Sequence, residues 1–292
     1  MNFLLLLLFF HSVWGKNLFF GWYGYDPIHM NGWTNIAHTN NMSVLIGNAH
    51  NGVNQLYEVT ELYTNQFNSL LLQPTWKHMI NTNIPLFKQL LLNRTISGFF
   101  MGDELMWNGL PYSNLTNASN YLRRHFPTSF IWENEAAYAI RCNTTYGRCF
   151  DKNNKTIHIT DGIPPALSAI STDMYHMTPY NNFVNTVKDF YKQWIYPKLH
   201  KGQKVFTIPG AFGSNVNSDC DYNCYDTMCA IDAVQYYNWA LEDHLVIGMN
   251  PWNWFNCTGC VKFKDEIGAL YMNITKNIWK NIGETIINNY IS

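Results

Sequence analysis

Charge is what this chain of 292 residues has least of. Asp, Glu, Lys and Arg make up 13% of it, against about 25% in an average soluble domain. The formal net charge is -1. A near-neutral chain with so few Lys and Arg lacks the electrostatic footprint of a nucleic-acid binder, so no nucleic-acid partner is expected. Beyond the amino terminus no apolar run approaches the roughly 20 residues needed to cross a bilayer. The chain holds no internal repeat, low-complexity tract or linker. Disorder is excluded from the other side: hydrophobic residues reach 47% and aromatics 16%, enough to bury a large core.

Several chemical signatures are also missing. A dinucleotide-binding turn needs small residues, and Phe20-Gly21-Trp22-Tyr23-Gly24 has bulky aromatics in their place. There is no Gly-x-Ser-x-Gly elbow, as an α/β-hydrolase esterase would carry. There is no His-x-x-x-His pair and no acidic metal cluster, so metal-dependent phosphodiesterase barrels fit poorly and no cofactor is expected.

What is present begins with an address. Residues 1–15 read MNFLLLLLFFHSVWG, an apolar run followed by Val13-Trp14-Gly15. The run is too short for a membrane anchor, and a secretory signal peptide cleaved after Gly15 is expected, leaving 16–292 as the mature chain. Glycosylation acceptors of the Asn-x-Ser/Thr type occur at Asn41, Asn93, Asn114, Asn117, Asn143, Asn154, Asn256 and Asn273. Seven cysteines suit an oxidising compartment. Their spacing suggests bridges Cys142–Cys149 and Cys257–Cys260, with a pair among Cys220, Cys224 and Cys229 and one cysteine left over. Zinc bound by these groups is the alternative. Secretion is the expected destination, with a lysosomal or vacuolar lumen as the other outcome.

Short apolar runs alternate with amphipathic stretches. Strands are expected at Leu18–Tyr23, Met42–Ile46, Ser69–Leu72, Ile96–Met101, Ser129–Trp132, Ala169–Met174, Lys204–Ile208 and Leu245–Met249. Helices are expected at Gln55–Phe67, Asn114–Phe126, Tyr180–Trp194, Thr227–Glu242 and Lys264–Asn289. Eight strands with helical crossovers imply an α/β chain folded as a (β/α)8 TIM barrel in a single domain. An open doubly wound sheet is the alternative. The stretch from Ala136 to Leu167 has no periodicity and reads as a long loop after the fifth strand.

Barrel chemistry sits at the C-terminal strand ends. Acids cluster there: Asp103 and Glu104 past the fourth strand, Glu133 and Glu135 past the fifth, Asp173 past the sixth. Alternation puts Glu133 and Glu135 on one face of their strand. Trp22, Trp76, Trp252 and Trp254 supply aromatic faces, and His50, Asn134, Tyr175 and His176 supply polar ones. Aromatics with a few acids and amides are what a sugar cleft needs. Glycosidic cleavage needs one carboxyl to protonate the leaving oxygen and a second group to stabilise or attack the anomeric centre.

Phe99-Phe100-Met101-Gly102-Asp103-Glu104 resembles the strand-four segment of TIM-barrel glycoside hydrolases, in particular the Gly-Asp-Glu of the β-N-acetylhexosaminidases. The resemblance covers these six residues and the Trp-rich end at Trp252 and Trp254. It implies that Glu104 is the acid and that Asp103 orients a 2-acetamido group which itself attacks the anomeric carbon. The His-x-Gly-Gly that usually precedes the pair is missing. The seventh strand ends in Ile208-Pro209-Gly210, without the nucleophilic Glu that large retaining barrels carry there.

The expectation is therefore a secreted glycosidase. Glu104 is its proton donor, and Asp103, Asp173 and Glu135 are candidates for the second carboxylate. Tyr175, Asn134, His50, Trp22, Trp252 and Trp254 hold the carbohydrate. A lectin-like barrel that binds sugar without turnover is the alternative.

Overall fold

In the computed structural model, residues 18–20, 55–58, 76–93, 96–141, 163–175, 183–213, 222–252, 267–268 and 271–291 are described. Seven strands form one parallel sheet: β1 (Phe19–Phe20), β2 (Gln55–Glu58), β3 (Ile96–Asp103), β4 (Phe130–Ala136), β5 (Ala169–Asp173), β6 (Lys204–Thr207) and β8 (Val246–Met249). Two short strands, β7 (Phe212–Gly213) and β9 (Ile267–Gly268), pair antiparallel beside it. The helices are α1 (Trp76–Leu92), α2 (Tyr112–His125), α3 (Ala137–Arg141), α4 (Phe183–Phe190), α5 (Tyr222–Glu242) and α6 (Asn273–Ile291). After α4 the chain continues through a π turn, Tyr191–Ile195, and a 3-10 turn, Tyr196–Lys198.

The pairing order decides between the two expected sheets. From β2 each strand lies beside the next in sequence through β6 and then β8, and β8 pairs with β1. An open doubly wound sheet reverses its order around the first strand. Here the first strand lies beside the last, with every pair parallel, which is the cyclic order of a (β/α)8 barrel.

Strand alternation sorts the apolar residues into two clusters. Phe100, Trp132, Ala169, Phe206 and Ile208 form one, with Phe100 stacked on Trp132 at 4.6 Å between ring centroids. Their neighbours on the same strands, Phe99, Ile131, Ile170 and Val205, join the helices in the other. The first cluster fills the lumen and the second lies between the sheet and its helices.

Four expectations change. Near the end of the chain Ile267–Gly268, expected inside a helix over Lys264–Asn289, is a strand paired with Phe212–Gly213. Gln55–Glu58, expected to open a helix, is a strand, because its backbone pairs in parallel with Ile96–Phe100. That pairing occupies the edge of β3 where Ser69–Leu72 was expected. The strand expected to end at Trp132 continues to Ala136, so Glu133 and Glu135 lie within it rather than beyond it. The Ser69–Leu72 and Met42–Ile46 strands and the signal peptide lie outside the described residues, as does most of the Ala136–Leu167 loop, which begins with α3.

Candidate active site

The site is built where β3, β4 and β5 end. The register of β3 against β4 slips here: Phe100 faces Trp132 and Asp103 faces Asn134, so Met101 and Gly102 together oppose Glu133. This extra residue is a bulge. Regular alternation would send Asp103 to the helix side with Met101. The bulge returns it to the lumen side with Phe100. Gly102 makes the bend at φ 144, a region that side chains avoid.

Asn134 is fully buried and joins two acids. Its Nδ2 donates to Asp103 Oδ1 at 2.8 Å and to Asp173 Oδ1 at 3.3 Å. Its orientation is fixed from below, where Ser171 Oγ donates to Asn134 Oδ1 at 2.7 Å and Trp132 Nε1 donates to Ser171 Oγ at 3.0 Å. A hydrogen-bonded chain thus rises from the lumen core to the two carboxyls. With one nitrogen bonded to both, their Oδ1 atoms lie within about 6 Å of each other.

The charges around Asp173 set its protonation. It keeps some surface at the mouth, yet burial of its carboxyl and the nearby Asp103 and Glu104 charges hold its pKa well above the usual carboxylate range. The same acids, added to burial, keep Tyr175 a neutral phenol. Its ring packs edge-on against Phe212 at 5.3 Å and beside Gly210. Trp252 packs on the lumen cluster, and its N–H donates to the Pro209 carbonyl at 2.8 Å.

Glu104 follows the bulge in the left-handed region, at φ 48, which is unusual for a residue with a side chain. Its N–H continues the ladder to the Asn134 carbonyl at 2.8 Å, and its own carbonyl accepts from Asn108 Nδ2 at 2.8 Å.

Glu135 stays close enough for its charge to raise the pKa of Asp173, but its hydrogen bonds go elsewhere. It shares the helix-side face of β4 with Ile131 and Glu133, opposite Trp132 and Asn134. Its carboxylate accepts from the N–H groups of Met106 (2.8 Å), Trp107 (3.2 Å) and Ala136 (2.9 Å). Burial nevertheless lifts its pKa to about 7. Glu133, also fully buried, receives no donor on either oxygen. Burial and the nearby charges of Glu135, Asp103 and Asp173 raise its pKa far above the usual carboxylate range.

Of the expected site residues, the structure therefore gathers Asp103, Glu104, Asn134, Asp173, Tyr175 and Trp252 at the mouth, with Glu135 behind them, bonded to backbone and with its charge reaching Asp173. Trp22, His50, His176 and Trp254 lie outside the described residues. Trp76 is buried on α1, edge-on to Tyr121, rather than at the mouth. Sequence reasoning missed Ser171. Its spacing of two from Asp173 on one strand is the signal that would have found it. Among the described residues no three His, Cys, Asp or Glu converge to hold a metal ion, and no helix is long and apolar enough to cross a membrane.

No protein-family model and no curated protein matches the chain. Solved structures similar to it include a GH2 β-galacturonidase from Eisenbergiella tayi (8% identity, 78% of this chain and 39% of that one, TM-score 0.44). A GH10 xylanase from Thermobacillus composti gives 11% identity over 77% of this chain and 75% of that one, TM-score 0.44. Xylanase 10B from Thermotoga maritima gives 12% over 77% and 71%, TM-score 0.43. The chain spans less than two fifths of the length of the β-galacturonidase and β-D-glucuronidase structures that it is similar to.

Proposed function

We propose that this chain is a glycoside hydrolase working through the carboxyls at the lumen mouth. The observation that carries the reading is the Asn134 amide bonded to Asp103 and Asp173 together, above an aromatic lumen. Asp173, kept protonated by burial and by its acidic neighbours, is the proton donor to the leaving oxygen. Asp103 is the second carboxylate. It either attacks the anomeric carbon or orients a substrate acetamido group that does so. Glu104 contributes negative charge, which keeps the proton on Asp173 and favours an oxocarbenium-like centre. This moves the proton donor from Glu104, where the resemblance implied it, to Asp173, which the sequence offered as a second carboxylate. Tyr175 donates a phenolic hydrogen bond and Trp252 offers a stacking face to the sugar.

Export belongs to the same proposal. The acceptors Asn93, Asn117 and Asn273 are exposed. Cys229 is a buried free thiol and Cys224 is disulfide-bonded, so Cys229 is not a member of the bridge expected in that trio. Expression in a glycosylating secretory host is expected to yield a chain beginning at Lys16 whose mass falls on deglycosylation; an intact Met1 in secreted material would overturn the cleavage site.

The function is tested with the secreted protein on a panel of fluorogenic glycosides and polysaccharides, with Asp173→Asn as the control. Loss of polysaccharide turnover in this variant, with aryl-glycoside turnover largely kept, supports the reading, and release of an N-acetylhexosamine selects the substrate-assisted form. Sugar binding without turnover in the folded wild type would select the lectin instead.

A further inference from the structure

Directly behind Glu104 the chain makes one helical turn. Asn108 N–H donates to the Glu104 carbonyl at 2.8 Å and Leu110 N–H to the Leu105 carbonyl at 2.9 Å. A helical start leaves its first N–H groups without partners inside the turn. Those of Met106 and Trp107 are taken by Glu135, which reaches them from another strand. With the third bond, from Ala136, both carboxylate oxygens are held by backbone and the side chain is immobile. The residue immediately before this turn, Glu104, has the strained left-handed backbone. Such a conformation persists only where its surroundings hold it, and the turn is the neighbouring structure on its C-terminal side.

We propose that Glu135 is a positioning residue for Glu104: from the helix side of β4 its carboxylate anchors the Leu105–Leu110 turn and so fixes Glu104 beside Asp103 and Asp173. The assignment rests on the reading of the mouth as an active site; the anchor does not. It also accounts for an acid placed on the wrong face of its strand for catalysis. Asn108, which bonds the Glu104 carbonyl from within the turn, is the local half of the same clamp.

The test compares Glu135→Ala and Glu135→Gln in the full secreted protein. It reads amide hydrogen exchange over 104–110 and kcat and KM on a glycoside that the wild type cleaves. Alanine is expected to speed exchange at Met106 and Trp107 by roughly tenfold or more. It should lower kcat by about tenfold to a hundredfold while KM changes little. Glutamine keeps one acceptor oxygen, so it should restore most of kcat and protect one of the two amides. Unchanged exchange in the alanine variant would overturn the proposal. So would a glutamine variant that is inactive while its turn stays protected, because Glu135 would then act chemically. If alanine prevents folding, the glutamine variant decides: unchanged exchange at both amides overturns the anchor. If the wild type cleaves no glycoside, the glycosidase reading fails and the exchange result alone decides whether Glu135 holds the turn.

Discussion

Asp173 and Asp103 share one amide donor, and at residue scale their difference is a matter of environment. Glu104 is one of the charges that keeps the proton on Asp173. Removing that charge lowers the pKa of the acid, so Glu104→Gln is expected to move the basic limb of the kcat/KM profile to lower pH. A profile that falls in height without moving would count against this role. Behind the strand, Glu133 and Glu135 have pKa values raised in the fold, Glu135 to about 7. A carboxyl that binds its proton more tightly when folded stabilises the fold below its ordinary pKa, and that stability is lost as pH rises through the folded value. The melting temperature is therefore expected to fall by several degrees between about pH 5 and about pH 8. Glu133→Gln, which cannot ionise, should flatten that slope; an unchanged slope in the variant would contradict it. Alternation in the sequence showed that Glu133 and Glu135 share a face. It could not show which face, because that depends on β4 running on to Ala136 through a polar stretch.

Among the elements, β3 is shaped by two glycines. A side chain at Gly98 would collide with the Phe130 carbonyl of β4, and Gly102 forms the bend of the bulge at φ 144. Gly98→Ala is expected to prevent secretion of folded protein, whereas Gly102→Ala should fold and lose turnover because Asp103 leaves the lumen face; full activity in the latter would remove the bulge from the account. At the other end of the chain Asp226 of α5 caps α6. Its carboxylate accepts from the N–H groups of Ile274 at 2.9 Å and Thr275 at 2.7 Å. Asp226→Ala is expected to cost roughly 1–2 kcal/mol and a few degrees of melting temperature, with activity per folded molecule unchanged. Strands whose apolar residues sit together in the core, such as Ala169–Asp173 and Lys204–Thr207, were legible as sequence. Gln55–Glu58 was not, because a strand bracketed by polar residues is defined by its pairing with β3 rather than by its composition.

For the molecule as a whole, alternation of strands and helices pointed to parallel pairing, and the cyclic strand order agrees with it. The order matters to function because it directs the ends of β3, β4 and β5 toward one mouth. Asp103 and Glu104 at the end of β3 meet the sequence-distant Asp173 there, in a chain otherwise poor in charge. The bulge that brings Asp103 into that group is a tertiary feature, with only Gly102 to mark it in the sequence. The central claim is that these carboxyls cleave a glycosidic bond with Asp173 as the acid. Its most direct test is hydrolysis of two glycosides that differ only in leaving group, by the wild type and by Asp173→Asn. The account predicts that the variant loses activity on the poor leaving group and keeps much of it on the good one, which departs without protonation. Equal loss on both substrates, or no loss on either, would contradict it.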